Sequence, residues 1–279
     1  MTYSCIELMP LATSVGAEIS GVDLATPPGK PELAEIRRAL GEFGVVFFRD
    51  QQLTPEQHLA FAHCFGEINI NRFFAAVPGY PMIAEVRKEP EQQRNIGNGW
   101  HTDHSYDEAP ALGSMLYARE VPKTGGDTLF AKMDAAYEAL SDGLKATLEG
   151  LKALHSSRHV FGATAAARRG DLNGRIRNAE LATQDAVHPV VIRHPDTGRK
   201  ALYVNPGFTC ALTAGPRRSR ARCSTISTAT RCSPNSPAAS SGGKGRWPFG
   251  TTARPGTSPS TTTTASAASC TASRSKARS

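Results

Sequence analysis

The sequence predicts an α/β or α+β protein whose folded part ends near residue 209, and three observations carry that reading. Strand-like apolar runs alternate with segments of helical spacing through residues 1–209. The 279 residues are 39% hydrophobic and 20% charged, enough to bury a core in one large domain or two small ones. From Cys210 onward the composition shifts to Ser, Thr, Ala, Arg, Pro and Gly, without Val, Tyr, Met, His, Asp or Glu. A chain of that kind cannot build a core and is expected to be a disordered basic tail.

Along the first part, VGAEISGVDL (15–24) reads as a short strand and turn. PELAEIRRALGEFG (31–44) repeats its apolar residues at helical spacing, and GVVFFRD (44–50) is a compact buried-strand run. Thr54 caps a following helix, with Pro55 at its first position and Gln57 placed for a capping box. PALGSMLYARE (110–120) reads as a core strand and residues 133–157 as one or two helices with polar outer faces. Residues 188–205 read as a β-hairpin around the turn Pro195-Asp196-Thr197-Gly198.

Charge and cysteine exclude several classes. The net +7 divides into −4 over residues 1–209 and +11 over 210–279, so the basicity belongs to the tail alone. Arg and Lys there are scattered without aromatic platforms, so nucleic acid is the weaker reading of that charge. Cys5 and Cys64 lie far apart, and Cys210, Cys223, Cys232 and Cys270 form no C-x-x-C pair, which argues against a disulfide framework or zinc cluster. No run approaches the roughly 20 apolar residues of a bilayer span. The N-terminus lacks a secretory pattern, so no membrane partner and a cytoplasmic location are expected.

The stretch carrying chemistry is Gly99-Trp100-His101-Thr102-Asp103-His104-Ser105-Tyr106. On a strand, residues i and i+2 share a face, so His101 and Asp103 would present an imidazole and a carboxylate to one metal ion, with His104 on the other face. That is two-thirds of a two-His-one-carboxylate triad, which leaves positions open on ferrous iron. A surface His–Asp pair is the plainer alternative. A zinc hydrolase would want three or four protein ligands, and no H-E-x-x-H occurs. Further on, Gly125-Gly126-Asp127-Thr128 forms a glycine turn into a strand, whose Thr128 hydroxyl is placed to bond an anionic ligand.

The order WHTDHSYDEAPALGSMLYAREVPKTGGDTLFAKMDAAYEAL, with GAEISGVDL, GVVFFRDQQLTPEQHLAFAHCFGEI and HPVVIRHPDTGRKALYVNPGFT, resembles the iron(II)- and 2-oxoglutarate-dependent dioxygenases of the taurine dioxygenase and 2,4-dichlorophenoxyacetate dioxygenase family. The resemblance spans most of residues 5–209. It implies an α+β fold, a double-stranded β-helix (jelly roll) with flanking helices. It implies His101 and Asp103 as iron ligands and Thr128 as a holder of the 2-oxoglutarate carboxylate, with O2 as the oxidant. Asn71 stands where taurine dioxygenases carry a sulfonate-binding His, and Gly97 where they carry an Asn, so taurine itself is not the expected substrate. Asn71 and Phe73 are expected at the substrate mouth, with Asn71 in a turn as the structural alternative. A small anionic sulfonate, carboxylate or sulfate ester is the expected substrate class, and a homo-oligomer is left open.

The family also has a later block resembling W-D-N-R, a His, then R-R-x-M-H-R, which supplies the second His ligand and the cosubstrate Arg. This sequence has no His after His194. Shifting the reading frame by one base converts Thr codons to Tyr, His, Asn or Asp and Ala codons to Arg, Gly, Ser or Cys. From Trp247 onward the displaced frame permits W-D-N-R, a His and R-R-L-M-H-R in order. The third ligand would then stand where Thr257 is written and the Arg where Ala268 is written. On this reading the written chain lacks the C-terminal part of its barrel and is impaired. A remote His, such as His155, His159, His188 or His194, is the alternative third ligand.

Overall fold

The computed structural model describes residues 2–11, 15–97, 99–122, 125–167, 170–172 and 174–213, and the backbone at 238–239 and 263–271. Near the N-terminus, β1 (Glu7–Pro10) pairs antiparallel with β2 (Ala17–Ser20), and β2 pairs parallel with β3 (Val46–Phe48). Parallel neighbours need a crossover, here α1 (Lys30–Phe43). The helix ends at Gly44, whose φ of 75° is open to glycine at little cost and whose N–H bonds the Leu40 carbonyl. Ile36 and Ala39 of α1 pack with Ile19 and Val46 in the first core.

α2 (Pro55–His63) begins with the expected capping box: Gln57 N donates to Thr54 Oγ1 at 3.3 Å, and Thr54 N donates to Gln57 Oε1 at 2.8 Å. Its Phe61 and Ala62 join the same core. The largest sheet follows, from β4 (Glu67–Asn69), β5 (Ala75–Val77), β6 (Tyr80–Lys88) and β7 (Gly113–Glu120). β8 (Leu129–Phe130) lies just beyond the Gly125-Gly126 turn, where both residues have positive φ.

Residues 133–157, expected as one or two helices, hold the two helices α3 (Met133–Glu138) and α4 (Asp142–Leu148) and then, beyond the expectation, the strand β9 (Lys152–Ser156). Gly150, at φ 87°, turns the chain out of the helix, and the alternation of β9 buries Ala153 and His155. Two short helices, α5 (Arg158–Phe161) and α6 (Ala163–Ala166), lead to β10 (Asp185–Pro189). The hairpin β11 (Val191–Arg193) and β12 (Lys200–Leu202) closes through Gly198, whose N–H bonds the His194 carbonyl at 2.8 Å.

β13 (Thr209–Thr213) runs across residue 210 and completes the sheet β10-β9-β13. Within the basic tail, β14 (Ala238–Ala239) pairs with β8, and β15 (Thr263–Thr271) lies in the largest sheet against β4, β6 and β7. Here the structure differs from the expectation of a tail without structure and of an empty place in the barrel. Ladder hydrogen bonds come from the backbone, and TTASAASCT contains no Pro or Gly to interrupt them. Thr257 lies outside the described residues. No helix among the described residues is long and apolar enough to cross a membrane.

Candidate metal centre and its aromatic floor

His101 and Asp103 come together, though not on a strand. The segment has no regular structure at 101–102 and then turns, with His104 at φ 56°. His101 Nε2 lies 3.2 Å from Asp103 Oδ1. His101 Nδ1 is 2.8 Å from the Gly99 carbonyl, which can only accept, so Nδ1 carries the proton and Nε2 is the atom left facing the carboxylate. Ser114 Oγ, from β7, donates to the other Asp103 oxygen at 2.9 Å.

Burial opposes the charged form of His101, but the hydrogen bond and charge of Asp103 prevail and raise its pKa above the usual imidazole value. For Asp103 burial works upward, and the His101 bond and charge, with His104 and Ser114, override it and hold the carboxyl at about 2. An Nε2 lone pair and a carboxylate oxygen facing one another need a cation between them. A proton can satisfy them, and a divalent metal is the alternative occupant. An anchored Nδ1–H with Nε2 exposed to a carboxylate is the orientation metal-binding imidazoles take. The donor chemistry of the pair therefore fits two positions of a metal's coordination, and the described residues bring no third His, Cys, Asp or Glu to it.

Beneath the pair lies an aromatic cluster of Phe73, Tyr106, Phe161 and Phe208. Phe73 stacks on Phe161 at 4.1 Å and 9°, Tyr106 meets Phe208 edge-on at 4.9 Å, and Phe208 meets the His101 ring edge-on at 6.0 Å. The Phe208 turn is fixed from below: Asn205 Oδ1 accepts from Phe208 N at 2.8 Å, and Asn205 Nδ2 donates to Ser105 Oγ at 3.1 Å. Gly207 passes so close that a Cβ there would sit 2.6 Å from His101 Cβ. Gly207→Ala is therefore expected to displace His101 and weaken metal binding about 10- to 100-fold. Mn(II) titration checks this, with Gly143→Ala, which meets nothing within 4 Å, as the neutral control.

The other expected site residues are distributed as follows. Phe73 is fully buried in the aromatic cluster. Asn71 Oδ1 accepts from Phe73 N at 2.8 Å and Phe74 N at 3.0 Å, an Asx turn that shapes its own loop. Thr128 stands half-buried immediately before β8, and no hydrogen bond joins it to His101 or Asp103. Of the remote histidines, His155 Nδ1 lies 3.1 Å from Ser105 Oγ, while His159 Nε2 donates to the Gly207 carbonyl at 2.7 Å. His188 Nε2 donates to the Asp107 carbonyl at 2.9 Å, and His194 Nδ1 accepts from Asp196 N at 3.2 Å. None joins the pair in a three-donor group among the described residues. Ser114, Gly207 and Phe208 are tertiary neighbours that no spacing in the sequence points to.

Comparison with known proteins extends the same pattern. The family profile described as taurine catabolism dioxygenase TauD, TfdA family matches residues 7–231. An alkylsulfatase from Acinetobacter baylyi is 34% identical over 205 residues, which is 73% of this chain and 64% of that protein. The alpha-ketoglutarate-dependent 2,4-dichlorophenoxyacetate dioxygenase of Cupriavidus pinatubonensis is 36% identical over 214 residues, 70% of this chain and 71% of that one. A crystal structure of a taurine dioxygenase from Burkholderia xenovorans matches with a TM-score of 0.75 at 28% identity, covering 97% of this chain and 92% of the other. The His–Asp pair, the fold shared with that dioxygenase and a profile running from β1 past β13 agree: the chain belongs to the taurine catabolism dioxygenase TauD, TfdA family.

Proposed function

We propose that this protein is an Fe(II)- and 2-oxoglutarate-dependent dioxygenase that hydroxylates a small anionic organic molecule, a sulfonate, carboxylate or sulfate ester. The observation that carries the proposal is the His101–Asp103 pair at 3.2 Å, with the His101 tautomer set by Gly99. Ferrous iron, 2-oxoglutarate and O2 would together supply the oxidation, the cosubstrate leaving as succinate and carbon dioxide while one oxygen atom enters a substrate C–H bond. His101 and Asp103 hold the metal, and Ser114 keeps the carboxylate turned toward His101. Phe208 and Tyr106 form a dry floor that keeps the His101 ring from swinging. Thr128 is assigned to the cosubstrate carboxylate, and the Asn71–Phe73 loop to the substrate side.

We also assign the third metal ligand and the cosubstrate-binding arginine to a displaced reading frame, at positions 257 and 268. The support for this is the order of the displaced-frame block; β15 pairs residue 268 with Met115 and residue 269 with Ser114, and since successive strand residues face opposite sides, its written register aligns 269 rather than 268 with the face of Ser114. The written chain, with two donors among its described residues, is expected to bind iron weakly.

Two measurements test this. Resequencing the coding DNA across codons 205 to 215 is expected to find one base gained or lost. The frame-corrected protein is then expected to form succinate from 2-oxoglutarate with Fe(II), and His101→Ala or Asp103→Ala to lower that rate by about a thousandfold, because the metal contributes several kcal/mol. Absence of succinate from the frame-corrected protein would reject the dioxygenase reading, and stop codons in the other frame would reject the displaced block.

A further inference from the structure

Asp107 is bonded through both its carboxylate and its backbone. Its Oδ1 accepts from Arg72 Nη2 at 2.5 Å and its Oδ2 from His104 Nδ1 at 3.0 Å. Its N–H donates to the His104 carbonyl at 3.0 Å, and its own carbonyl accepts from His188 Nε2. Three separate pieces of chain thus converge on one residue: the loop that contains Arg72, the turn 104–107, and β10. The loop is tied down again by Asn178, whose Nδ2 donates to the Arg72 carbonyl at 2.8 Å.

His104 shows what this convergence does. It follows Asp103 directly, is buried, and has a φ of 56°, a left-handed conformation that a side chain with a Cβ rarely keeps unless its surroundings impose it. The bond to Asp107 is such a constraint. Because one peptide separates residue 103 from residue 104, relaxation of His104 toward ordinary φ would swing the Asp103 carboxylate away from His101. We propose that Asp107 is a positioning residue that locks the loop Asn71–Phe74 to the ligand turn His101–Asp103 through Arg72 and His104. A change in the substrate-side loop is thereby felt at the metal pair. The inference rests on the metal-centre reading given above, and the experiment separates the two.

Hydrogen exchange of the full-length, metal-free protein is measured by mass spectrometry for wild type, Asp107→Asn, Arg72→Met and Arg72→Lys, alongside Mn(II) binding followed by the EPR signal of the free ion. Asp107→Asn and Arg72→Met are expected to speed exchange about tenfold in both 70–75 and 100–106, with α1 unchanged. Both are also expected to weaken Mn(II) binding about 10- to 100-fold. Arg72→Lys, which keeps the charge, is expected to restore protection at 100–106 in part. A rise confined to 70–75 in Arg72→Met would overturn the proposal, since the ion pair would then support only its own loop. Unchanged Mn(II) affinity in both variants, with wild type binding, would overturn it too. If Asp107→Asn loosens the whole molecule, Arg72→Met alone carries the reading, because it leaves the His104–Asp107 bond in place. If wild type holds no Mn(II) while both segments loosen together, the coupling stands and the metal reading falls.

Discussion

Phe73→Ala is expected to cost about 3–5 kcal/mol of stability, the range for removing a fully buried Phe. Phe73 has no exposed surface, stacks face to face on Phe161 at 4.1 Å and meets Tyr106 edge-on at 6.1 Å. Its removal leaves a hole bounded by rings that cannot collapse independently, because Phe161, Tyr106 and Phe208 also lean on one another. Urea unfolding is the measurement, and the midpoint should fall with little change in slope. A loss below about 1 kcal/mol would mean that the ring is not part of a packed core. The same change is expected to reach the metal pair, since Phe208 is the wall of the His101 ring. Asn71→Ala is the contrast: it removes only the Asx turn, at about 1 kcal/mol, and leaves the stack in place.

The difference between these two neighbours shows what the sequence disclosed. Local grammar was legible. The α2 capping box, the Gly44 stop of α1 and the turn before β12 each depend on residues a few positions apart, and each formed where the pattern placed it. The nearness of His101 and Asp103 was also legible, because two side chains separated by one residue are a local signal. The conformation that joins them was not: a strand was the natural expectation, whereas the chain turns at His104 because Asp107 and Arg72, 35 positions apart, hold it there. The stacking of Phe73 on Phe161 of α5 is likewise a pairing no period reveals. Ser114 is of the same kind. In the tail, composition argues only about side chains, whereas a strand inserted into an existing sheet needs only backbone, as β15 shows.

Acid should unfold the protein in two stages, the first set by two buried histidines. His58 lines a small apolar cavity with Leu53, Phe61 and Met115. Burial pushes its pKa down to about 4, against a weaker opposing hydrogen bond to the Met115 backbone. His155 is likewise lowered to about 4, first by burial and then by the charge of His188, with a bond to the Tyr203 backbone opposing. Among the described residues, neither His58 Nε2 nor His155 Nε2 has a hydrogen-bond partner that could stabilise an added proton. In the unfolded chain both titrate near the ordinary value of about 6.5, so between about pH 6.5 and 4 the unfolded state binds the protons and the native state does not. The stabilisation from keeping these rings neutral is complete above the unfolded value and drains away as pH falls through that window, by roughly 3 kcal/mol for each histidine at pH 4. His101 has the opposite sign: its raised pKa stabilises the fold below about 6.5 and is lost as pH rises through the folded value. Its contribution therefore changes above about pH 6.5 and leaves the slope between 6.5 and 4 to His58 and His155. Asp103, held at about 2, acts later, its contribution lost only as pH drops below the ordinary carboxyl value. Stability from urea unfolding should consequently fall steeply between pH 6.5 and 4.5, with one to two protons taken up on unfolding. His155→Asn, which keeps a donor and acceptor but cannot titrate, should remove about half of the slope. A flat profile over that range would show that the two rings are not buried as neutral groups in the native protein.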